Sequence, residues 1–320
     1  MNGYIELPTK VSVIIPVYNR LEFLSEALES IYAQLHRPIE IIIVDNGSST
    51  DNATELDYIA QAYKNRDKDI GLKLLRTDKK GAPHARNTGF NASTSEIIQF
   101  LDSDDVLLPE KISEQLDVLN KYPNLDMVYS KAQHTDEHLN RMDKFWGRKL
   151  DGTSMDYFLF SWQTMCPLYK KSTILKYGLW DESLQINQDW EFSLRYIIKG
   201  ANAFFLDKVH CLFRIHTKGN IGSIENDLAK VESKWQSTQK IYRLLQEKRK
   251  IDGIVKKAFL KRWIYILLIT SKLGAKKEFN QQLTEIRTEI PSALYLLMAT
   301  FNSARISKIL LKSLGYNKTA

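Results

Sequence analysis

The stretch Val11–Arg20, VSVIIPVYNR, decides the fold of this 320-residue chain. Its apolar, mostly β-branched start is ended by Pro16, which predicts a buried strand. Asn19, with Glu22 three residues later, is typical of a pair that caps a helix. Apolar residues then recur at helical spacing: Leu21, Leu24, Leu28 and Ile31. The stretch therefore predicts a strand followed directly by a helix.

The same alternation continues along the first third of the chain. Further strands are predicted at Ile39–Val44, Leu72–Leu75 and Ile97–Leu101, with a helix at Ala85–Ala92. Strands that alternate with helices pair in parallel within an α/β sandwich, and such folds bind ligands at the carboxyl ends of the strands. Polar residues follow these ends: Asn19 and Arg20, Asp45, and Asp102. We therefore expect the site at this edge.

The pattern changes towards the C-terminus. From about residue 228 the periodicity is helical, and it closes with a predicted helix at Leu294–Leu314. Residues 228–320 hold 19 Lys and Arg against 6 Asp and Glu, a net of +13, whereas residues 1–227 hold 26 against 32, a net of −6. We expect a catalytic domain over residues 1–227 and a basic helical region over 228–320 that attracts polyanions.

Composition narrows the cellular context. The chain has two cysteines, Cys166 and Cys211, which are too few for a disulfide scaffold and fit a reducing compartment. A single disulfide bond between them is the alternative. The N-terminus lacks the pattern of a secretory signal. The longest C-terminal apolar runs, Trp263–Ile269 and Ala293–Ala299, are far shorter than the roughly 20 residues of a spanning helix. We expect a cytoplasmic protein, with peripheral contact at the inner face of the membrane as a further prediction.

An acidic stretch, Phe100–Pro109 (FLDSDDVLLP), follows the fourth predicted strand. Three carboxylates within four residues repel one another unless a cation joins them. A divalent ion held by one or two carboxylates keeps positions open for phosphate oxygens. The alternative is a solvated acidic turn that caps the next helix.

Five motifs occur in order: Val11–Arg20, Ile41–Asp51 (IIIVDNGSSTD), Gly81–Gly89 (GAPHARNTG), Phe100–Pro109 and Gln188–Arg195 (QDWEFSLR). Together they resemble glycosyltransferase family 2 over residues 11 to about 222. No glycine-rich dinucleotide or phosphate loop favours another nucleotide fold. The resemblance implies an α/β fold of the GT-A type. This is a nucleotide-binding sandwich with a central, mostly parallel sheet, here followed by a C-terminal helical region.

The resemblance assigns residues to the nucleotide. Tyr18 matches the aromatic residue that packs on the base, with a core role as the alternative. Asp45 matches the acid that accepts a hydrogen bond from uracil; a carboxylate suits this role because it is acceptor-only. The family often has a second Asp at the next position, where this chain has Asn46. Arg86 matches the Arg of the family's Ala-Arg-Asn motif, which lies near the nucleotide and could offset diphosphate charge. A salt bridge with the acidic stretch Phe100–Pro109 is the alternative.

The acidic loop is assigned to the metal and donor. By resemblance, Asp104 is the direct ligand of Mn²⁺ or Mg²⁺, Asp102 reaches the ribose or a metal-bound water, and Ser103 lies at the donor. Asp105 is expected behind them or as a cap of the helix that starts near Pro109. His216, in Phe-Arg-Ile-His, resembles a family histidine that completes the metal or diphosphate site. A surface histidine is the alternative.

The catalytic base is assigned in Gln188–Arg195. Asp189 matches the family's base, and the preceding residue is Gln188 where the family usually has Glu. Gly178–Glu182 (GLWDE) also matches the family upstream. The alternative is that Asp189 merely caps a helix at Trp190–Lys199.

The resemblance implies a metal-dependent, inverting transferase of the hexosyltransferase type. It would move sugar from a UDP-sugar to a hydroxyl of a glycan or lipid-linked acceptor, in cell-envelope polysaccharide synthesis. Acceptor-facing residues are expected in the aromatic middle, such as Trp162 and Trp180. The cluster Lys256–Trp263 predicts contact with an anionic membrane surface, with a packed helical subdomain as the alternative. The rival functions are an inactive nucleotide-sugar-binding protein and a basic nucleic-acid-binding protein; we expect no nucleic-acid partner.

Overall fold

The structure, a computed structural model, describes residues 9–157, 162–216 and 227–301. These residues form two compact units. The first holds residues 9–151, 162–182 and 199–216, and the second holds residues 152–157, 183–198 and 227–301. The second unit thus includes a segment, 183–198, that precedes the domain boundary proposed after residue 227. That boundary stays a prediction.

Within the described residues, the first unit contains one sheet of nine strands. They are β1 (Val11–Val17), β2 (Ile39–Asp45), β3 (Ile70–Arg76), β4 (Ile97–Phe100), β5 (Val106–Leu107), β6 (Met127–Thr135), β7 (Arg141–Trp146), β8 (Pro167–Lys170) and β9 (Ala203–Arg214). The order is β3-β2-β1-β4-β8-β6-β9-β5, and β7 pairs with β6. Strands β1 to β4 are parallel. Beyond β4 the pairing is antiparallel except between β6 and β9.

The helices of the first unit connect these strands. They are α1 (Leu24–Tyr32), α2 (Thr50–Tyr63), α3 (Ala82–Ala92), α4 (Lys111–Lys121) and α5 (Lys171–Tyr177). The α/β class is confirmed, and the four predicted strands are present with ends shifted by at most two residues. Helix α2 was not predicted because it buries few residues, Leu56, Ala60 and Tyr63.

The core lies on both faces of β1 and β2, since every residue of these two strands is buried. Helix α3 approaches this sheet closely at Gly89. A Cβ there would collide with Ile14 and would lie 3.2 Å from Val44. Because the chain enters α3 soon after the end of β3, the first turns of α3 lie at the carboxyl edge of the sheet.

The predicted capping pair at the start of α1 is wrong. The helix begins at Leu24 and has no side-chain cap. Asn19 instead adopts a left-handed backbone conformation, φ 56°. Its Oδ1 accepts from Ser49 N at 2.7 Å and its N donates to Ser48 Oγ at 2.9 Å. Asn19 therefore ties the loop after β1 to the loop after β2.

The second unit is helical. It contains a short 3₁₀ helix (Ser154–Tyr157), most of α6 (Gln188–Lys199), α7 (Leu228–Glu247), α8 (Gly253–Lys272), α9 (Lys276–Glu285) and α10 (Ser292–Phe301). The rest of the helix predicted to reach Leu314 lies outside the described residues. Among the residues described, no helix is both long and apolar enough to cross a membrane.

Candidate active site

The polar edge of the first unit lies where the parallel strands end. Val17 of β1 is opposite Asp45 of β2, and β4 flanks β1 on its other side. Tyr18, Asp45 and Asp102 therefore leave the sheet side by side. This is the carboxyl edge at which the sequence predicted a ligand site.

Asp45, the last residue of β2, is buried, with 2% of its surface exposed. Its Oδ1 accepts a hydrogen bond from Ser48 N at 3.0 Å, and its Oδ2 lies 3.5 Å from Arg76 Nε at the end of β3. A carboxylate has about four acceptor positions, so Asp45 retains capacity for a further donor. Sequence reasoning missed Arg76, although it follows the same strand-end rule as Asp45.

Asn46 departs from the family pattern for a local reason. Its Nδ2 donates to the carbonyl of Lys79, and its Oδ1 accepts from Gly81 N at 2.5 Å. The side chain therefore fixes the turn that leads into α3. An ionised Asp would keep the second bond but has no hydrogen for the first.

Tyr18 stands at the same edge with 52% of its surface exposed. This exposure is inconsistent with the alternative of a core aromatic residue. The turn is held by Arg20 N, which donates to Tyr18 O at 2.7 Å. An exposed ring at the end of β1 is available for stacking on a planar base.

Arg86 of α3 is buried and donates from Nη2 to Asp102 Oδ1 at 2.6 Å. Its guanidinium also lies over the ring of Trp180, 4.4 Å from the centroid. The salt bridge with the acidic loop, weighed as an alternative from sequence, is therefore present. Because Arg86 is only 5% exposed, its positive charge is held close to Asp102.

Asp104 and His216 form the second ionisable pair of the edge. His216 Nε2 lies 2.8 Å from Asp104 Oδ2, and Arg20 Nη1 lies 3.6 Å from the same oxygen. The Asp104 side chain is 24% exposed and that of His216 is 13% exposed. The ring of His216 packs on Phe23, with centroids 5.3 Å apart. Two residues far apart in sequence, both predicted as metal ligands, are thus in contact.

The donors of this pair suit a divalent ion. Carboxylate oxygen and imidazole nitrogen are ligands of Mn²⁺, and Mg²⁺ commonly takes one or two carboxylates with the remaining positions on phosphate and water. Among the residues described, no group of three or more His, Cys, Asp or Glu side chains is placed to hold a metal ion together, so Asp102 does not join Asp104 and His216 in such a group. A pair open to a diphosphate fits this chemistry. Ser103 lies half-buried in the turn between Asp102 and Asp104.

Asp105 faces the protein rather than the edge. Its Oδ1 accepts from Arg214 N at 2.9 Å. Burial, with the Asp104 and Asp102 carboxylates nearby, raises the pKa of the Asp105 carboxyl well above its usual value. The predicted cap is wrong, because α4 begins at Lys111 without a side-chain cap. Asp105 instead fixes the end of β9, two residues before His216.

Arg214 is a second residue that sequence reasoning missed at this edge, although it lies in the Phe-Arg-Ile-His motif. Its side chain is fully buried. Its Nε donates to Asp104 O at 2.8 Å, its Nη2 pairs with Glu26 of α1, and its guanidinium stacks over Phe23. Arg214 therefore holds the backbone of the acidic loop against β9.

The prediction that Trp162 and Trp180 face an acceptor is wrong. Trp162 is 1% exposed and packs on Tyr129. Trp180 is 4% exposed, with its ring edge-on to Phe100. Both rings therefore belong to the core of the first unit.

Asp189 lies in the second unit, in the first turn of α6. It is half-buried, and its Oδ1 accepts from Trp190 N at 2.8 Å. The cap alternative is wrong, because α6 begins at Gln188 and Asp189 therefore lies inside its first turn, with Asn187 as the residue before the helix. The bond from the neighbouring Trp190 N does not exclude a role of Asp189 as a base.

The mixed sheet, flanked by helices and with acids where its parallel strands end, has the GT-A fold. S. aureus TarS in complex with UDP-GlcNAc matches with a TM-score of 0.66 at 17% identity, over 95% of this chain and 90% of that chain. A mannosyltransferase from Pyrobaculum calidifontis in complex with GDP-Man and Mn²⁺ matches with a TM-score of 0.55 at 17% identity, over 97% and 85%. These likenesses show the fold.

The sequence comparisons show the family. The model of glycosyl transferase family 2 matches residues 12–177. An uncharacterized glycosyltransferase of Rickettsia prowazekii is 30% identical over 233 residues, which are 70% of each chain. The chain therefore belongs to glycosyl transferase family 2, and the resemblance seen in the sequence is confirmed.

Proposed function

We propose that the protein is an inverting glycosyltransferase that moves a sugar from a nucleoside-diphosphate sugar to a hydroxyl acceptor. The observation that carries the proposal is the Asp104–His216 pair, 2.8 Å between Oδ2 and Nε2, at the same edge as Asp45. The edge thus brings together a pair of side chains that could hold a divalent ion and the acceptor-only carboxylate of Asp45, which suits a hydrogen bond from a nucleobase. A purely structural acidic turn gives no reason for the distant histidine.

A UDP-sugar is the proposed donor. The carboxylate of Asp45 would accept the uracil N–H, and the exposed Tyr18 would stack on the ring. Asp102 would reach the ribose or a metal-bound water, with Ser103 beside it and Arg86 balancing the charge of the loop. The TarS structure holds UDP-GlcNAc, which supports this choice; the mannosyltransferase structure holds GDP-Man, so guanine donors belong in the test.

Asp104 and His216, with Asp102 nearby, would hold Mn²⁺ or Mg²⁺. The ion would supply Lewis-acid neutralisation of the departing diphosphate. Asp189 would take the proton of the acceptor hydroxyl as its oxygen attacks the anomeric carbon. Attack opposite the leaving group inverts the anomeric carbon in one displacement, and the bond to the nucleoside diphosphate breaks as the new bond forms. No covalent sugar–enzyme nucleophile is needed.

The proposed acceptor is a glycan or lipid-linked glycan of cell-envelope synthesis, met by a cytoplasmic enzyme at the inner membrane surface. The basic residues of α8 support this proposal, since Lys256 and Lys257 are exposed beside Ile254, which is 54% exposed. Flotation with liposomes containing anionic lipid, compared with neutral liposomes, tests the contact. Equal flotation with both would exclude an electrostatic membrane contact.

A donor panel tests the reaction. We expect sugar release from a UDP-sugar, loss of release with EDTA, and recovery with Mn²⁺ or Mg²⁺. Full turnover in EDTA would exclude the metal role of Asp104. Nucleotide binding without turnover of any UDP or GDP sugar would favour the inactive sugar-nucleotide-binding protein. Binding of nucleic acid, without nucleotide binding and without turnover of a sugar nucleotide, would favour the basic nucleic-acid-binding protein.

Replacement of Asp189 tests the base. Asp189→Asn removes the proton acceptor but keeps the bond from Trp190 N, since an amide oxygen also accepts. We expect kcat to fall on the order of 10³-fold, with nucleotide affinity unchanged in calorimetry. Glu232→Gln, an exposed acid of α7 in the same unit, is the control. An unchanged kcat in Asp189→Asn would place the base elsewhere.

A further inference from the structure

The turn that precedes α6 is tied to α7 by the buried hydroxyl of Ser233, which is 3% exposed. This oxygen accepts from Gln185 N at 2.9 Å and from Ile186 N at 3.1 Å. The same hydroxyl donates to Ile186 O at 3.1 Å. One side chain of α7 therefore satisfies three backbone groups of the turn, four residues or fewer before Asp189.

The last residue before α6 is held by α7 as well. Asn187 has φ 61°, in the left-handed region that few residues other than Gly and Asn adopt readily. Its Nδ2 donates to Ser237 Oγ at 3.4 Å, and its carbonyl accepts from Glu191 N at 3.0 Å in the first helical bond. The direction in which α6 leaves the turn is thus fixed at a residue bonded to α7.

Helix α8 holds the residue after Asp189. The Arg262 guanidinium lies over the ring of Trp190, 3.9 Å from the centroid. Arg262 Nε also donates to Thr238 Oγ1 of α7 at 2.8 Å, which orients the guanidinium. Trp190 N is the donor to Asp189 Oδ1. The residue that bonds the carboxylate is therefore itself fixed by a stacked cation.

We propose that the C-terminal helices position the general base: Ser233 and Arg262, with Asn187, set the place and direction of Asp189. The inference rests on the proposed role of Asp189. These helices lie outside residues 12–177 that match the family model. The C-terminal region is then part of the catalytic machinery, and its contribution is made at the start of α6.

These contacts differ from ordinary packing because they lie in the turn directly before Asp189. The hydrogen bonds from α7 reach Gln185, Ile186 and Asn187, all before the first turn of α6. A general base must lie within hydrogen-bond reach of the proton that it removes. A displacement of about 1 Å can cost on the order of 10²-fold in rate. Loosening this turn should therefore affect kcat more than it affects nucleotide binding, which depends on residues of the first unit.

Two variants test the proposal in the full chain. Ser233→Ala removes the acceptor of two backbone N–H groups, and Arg262→Gln removes the stacked cation. We expect kcat to fall roughly 10- to 100-fold in each, with donor KM and nucleotide Kd within about twofold. Arg262→Lys keeps the charge without the planar stack and should recover part of kcat. Ser271→Ala and the exposed Arg243→Gln, on the same two helices, should match wild type.

A double-mutant cycle separates positioning from general destabilisation. In an Asp189→Asn background, Ser233→Ala and Arg262→Gln should cause little further loss of kcat, because the group that they position is gone. An equal loss in both backgrounds, or a wild-type kcat in both single variants, overturns the positioning role alone. A wild-type kcat in Asp189→Asn overturns the base and the positioning together.

Discussion

The two ends of β2 carry one buried carboxylate each, and the two are held differently. At the amino edge, Glu40 accepts from Ser12 Oγ at 2.7 Å, from Lys73 Nζ at 2.7 Å and from Thr94 N at 3.0 Å. At the carboxyl edge, Asp45 has one bond, from Ser48 N, and a more distant cation. The amino edge saturates its carboxylate, whereas the carboxyl edge leaves acceptor capacity for a ligand.

The pKa of Glu40 follows from this saturation. Burial raises the pKa of the carboxyl, but the bonds from Lys73, Thr94 and Ser12 together outweigh it and lower the pKa from 4.5 to about 2. Such a group stabilises the fold in its ionised form. A carboxylate at a strand end is therefore a candidate for ligand binding when the protein leaves some of its acceptor positions without a donor.

The largest effect is expected for Asp104, a half-buried acid of the carboxyl edge. Asp104→Asn removes the charge that would hold a divalent ion, a contribution of about 3–4 kcal/mol, so kcat should fall on the order of 10²–10³-fold. Nucleotide affinity measured in EDTA should be unchanged. Asp143→Asn, an exposed acid of β7, is the matched control. If Asp104→Asn and wild type depended equally on added metal, Asp104 would not hold the ion, and the carboxyl edge would lose this evidence for a functional site.

The amino edge should show its effect in stability. Because the folded protein binds the Glu40 proton less tightly than the unfolded chain, Glu40 stabilises the fold fully above pH about 4.5, and this contribution is lost as pH falls to about 2. Glu40→Gln should lower the free energy of unfolding by about 3 kcal/mol at pH 7 and flatten its decline between pH 4.5 and 2. Urea denaturation at several pH values measures both.

A surface pair gives the control for Glu40. Glu29, 54% exposed, is bonded to Arg66 at 2.6 Å, and this bond lowers its pKa against a smaller effect of burial. Glu29→Gln should change the free energy of unfolding by less than about 1 kcal/mol. If the two variants were equally stable, saturation of Glu40 would not explain the amino edge.

Asp45 should affect binding by a smaller amount. Asp45→Ala would remove the proposed charged hydrogen bond to uracil, worth about 2 kcal/mol, and should weaken UDP binding roughly 30-fold in calorimetry. The chemical step in enzyme saturated with donor should change less. Asp57→Ala removes the exposed partner of the same arginine, Arg76, and should leave UDP affinity within about twofold. If Asp57→Ala weakened UDP binding more than Asp45→Ala does, Arg76 rather than Asp45 would recognise the nucleotide.

The sequence allowed prediction of the parallel half of the fold, because period-two and period-3.6 patterns report on local structure. It also allowed prediction that Asp45, Asp102 and Asp104 share an edge, since parallel strands bring their ends together. Contacts between distant residues were less accessible. The resemblance predicted His216, but no spacing indicated that Arg76 would reach Asp45. The aromatic character of Trp162 and Trp180 did not distinguish a core ring from a binding one.

The two departures from the family pattern share one physical cause. Asn46 donates to the carbonyl of Lys79. Gln188 Nε2 donates to Gln185 O at 2.7 Å and lies 3.2 Å from Leu184 O. At both positions an amide supplies a hydrogen that an ionised acid lacks. The substitutions therefore stabilise turns beside Asp45 and Asp189 and leave these two carboxylates in place.

Asn46→Asp should give the smallest effect, and it separates the loss of a hydrogen-bond donor from the addition of a charge beside Asp45. The introduced carboxyl keeps the bond from Gly81 N but leaves the Lys79 carbonyl without its donor, which should cost about 1 kcal/mol of unfolding free energy at pH 7. Protonation restores a donor, so the loss should shrink as pH falls below about 4, the reverse of the trend for Glu40. The exposed Asn120→Asp is the control. A loss independent of pH would mean that added charge beside Asp45, rather than the missing hydrogen, destabilises the turn.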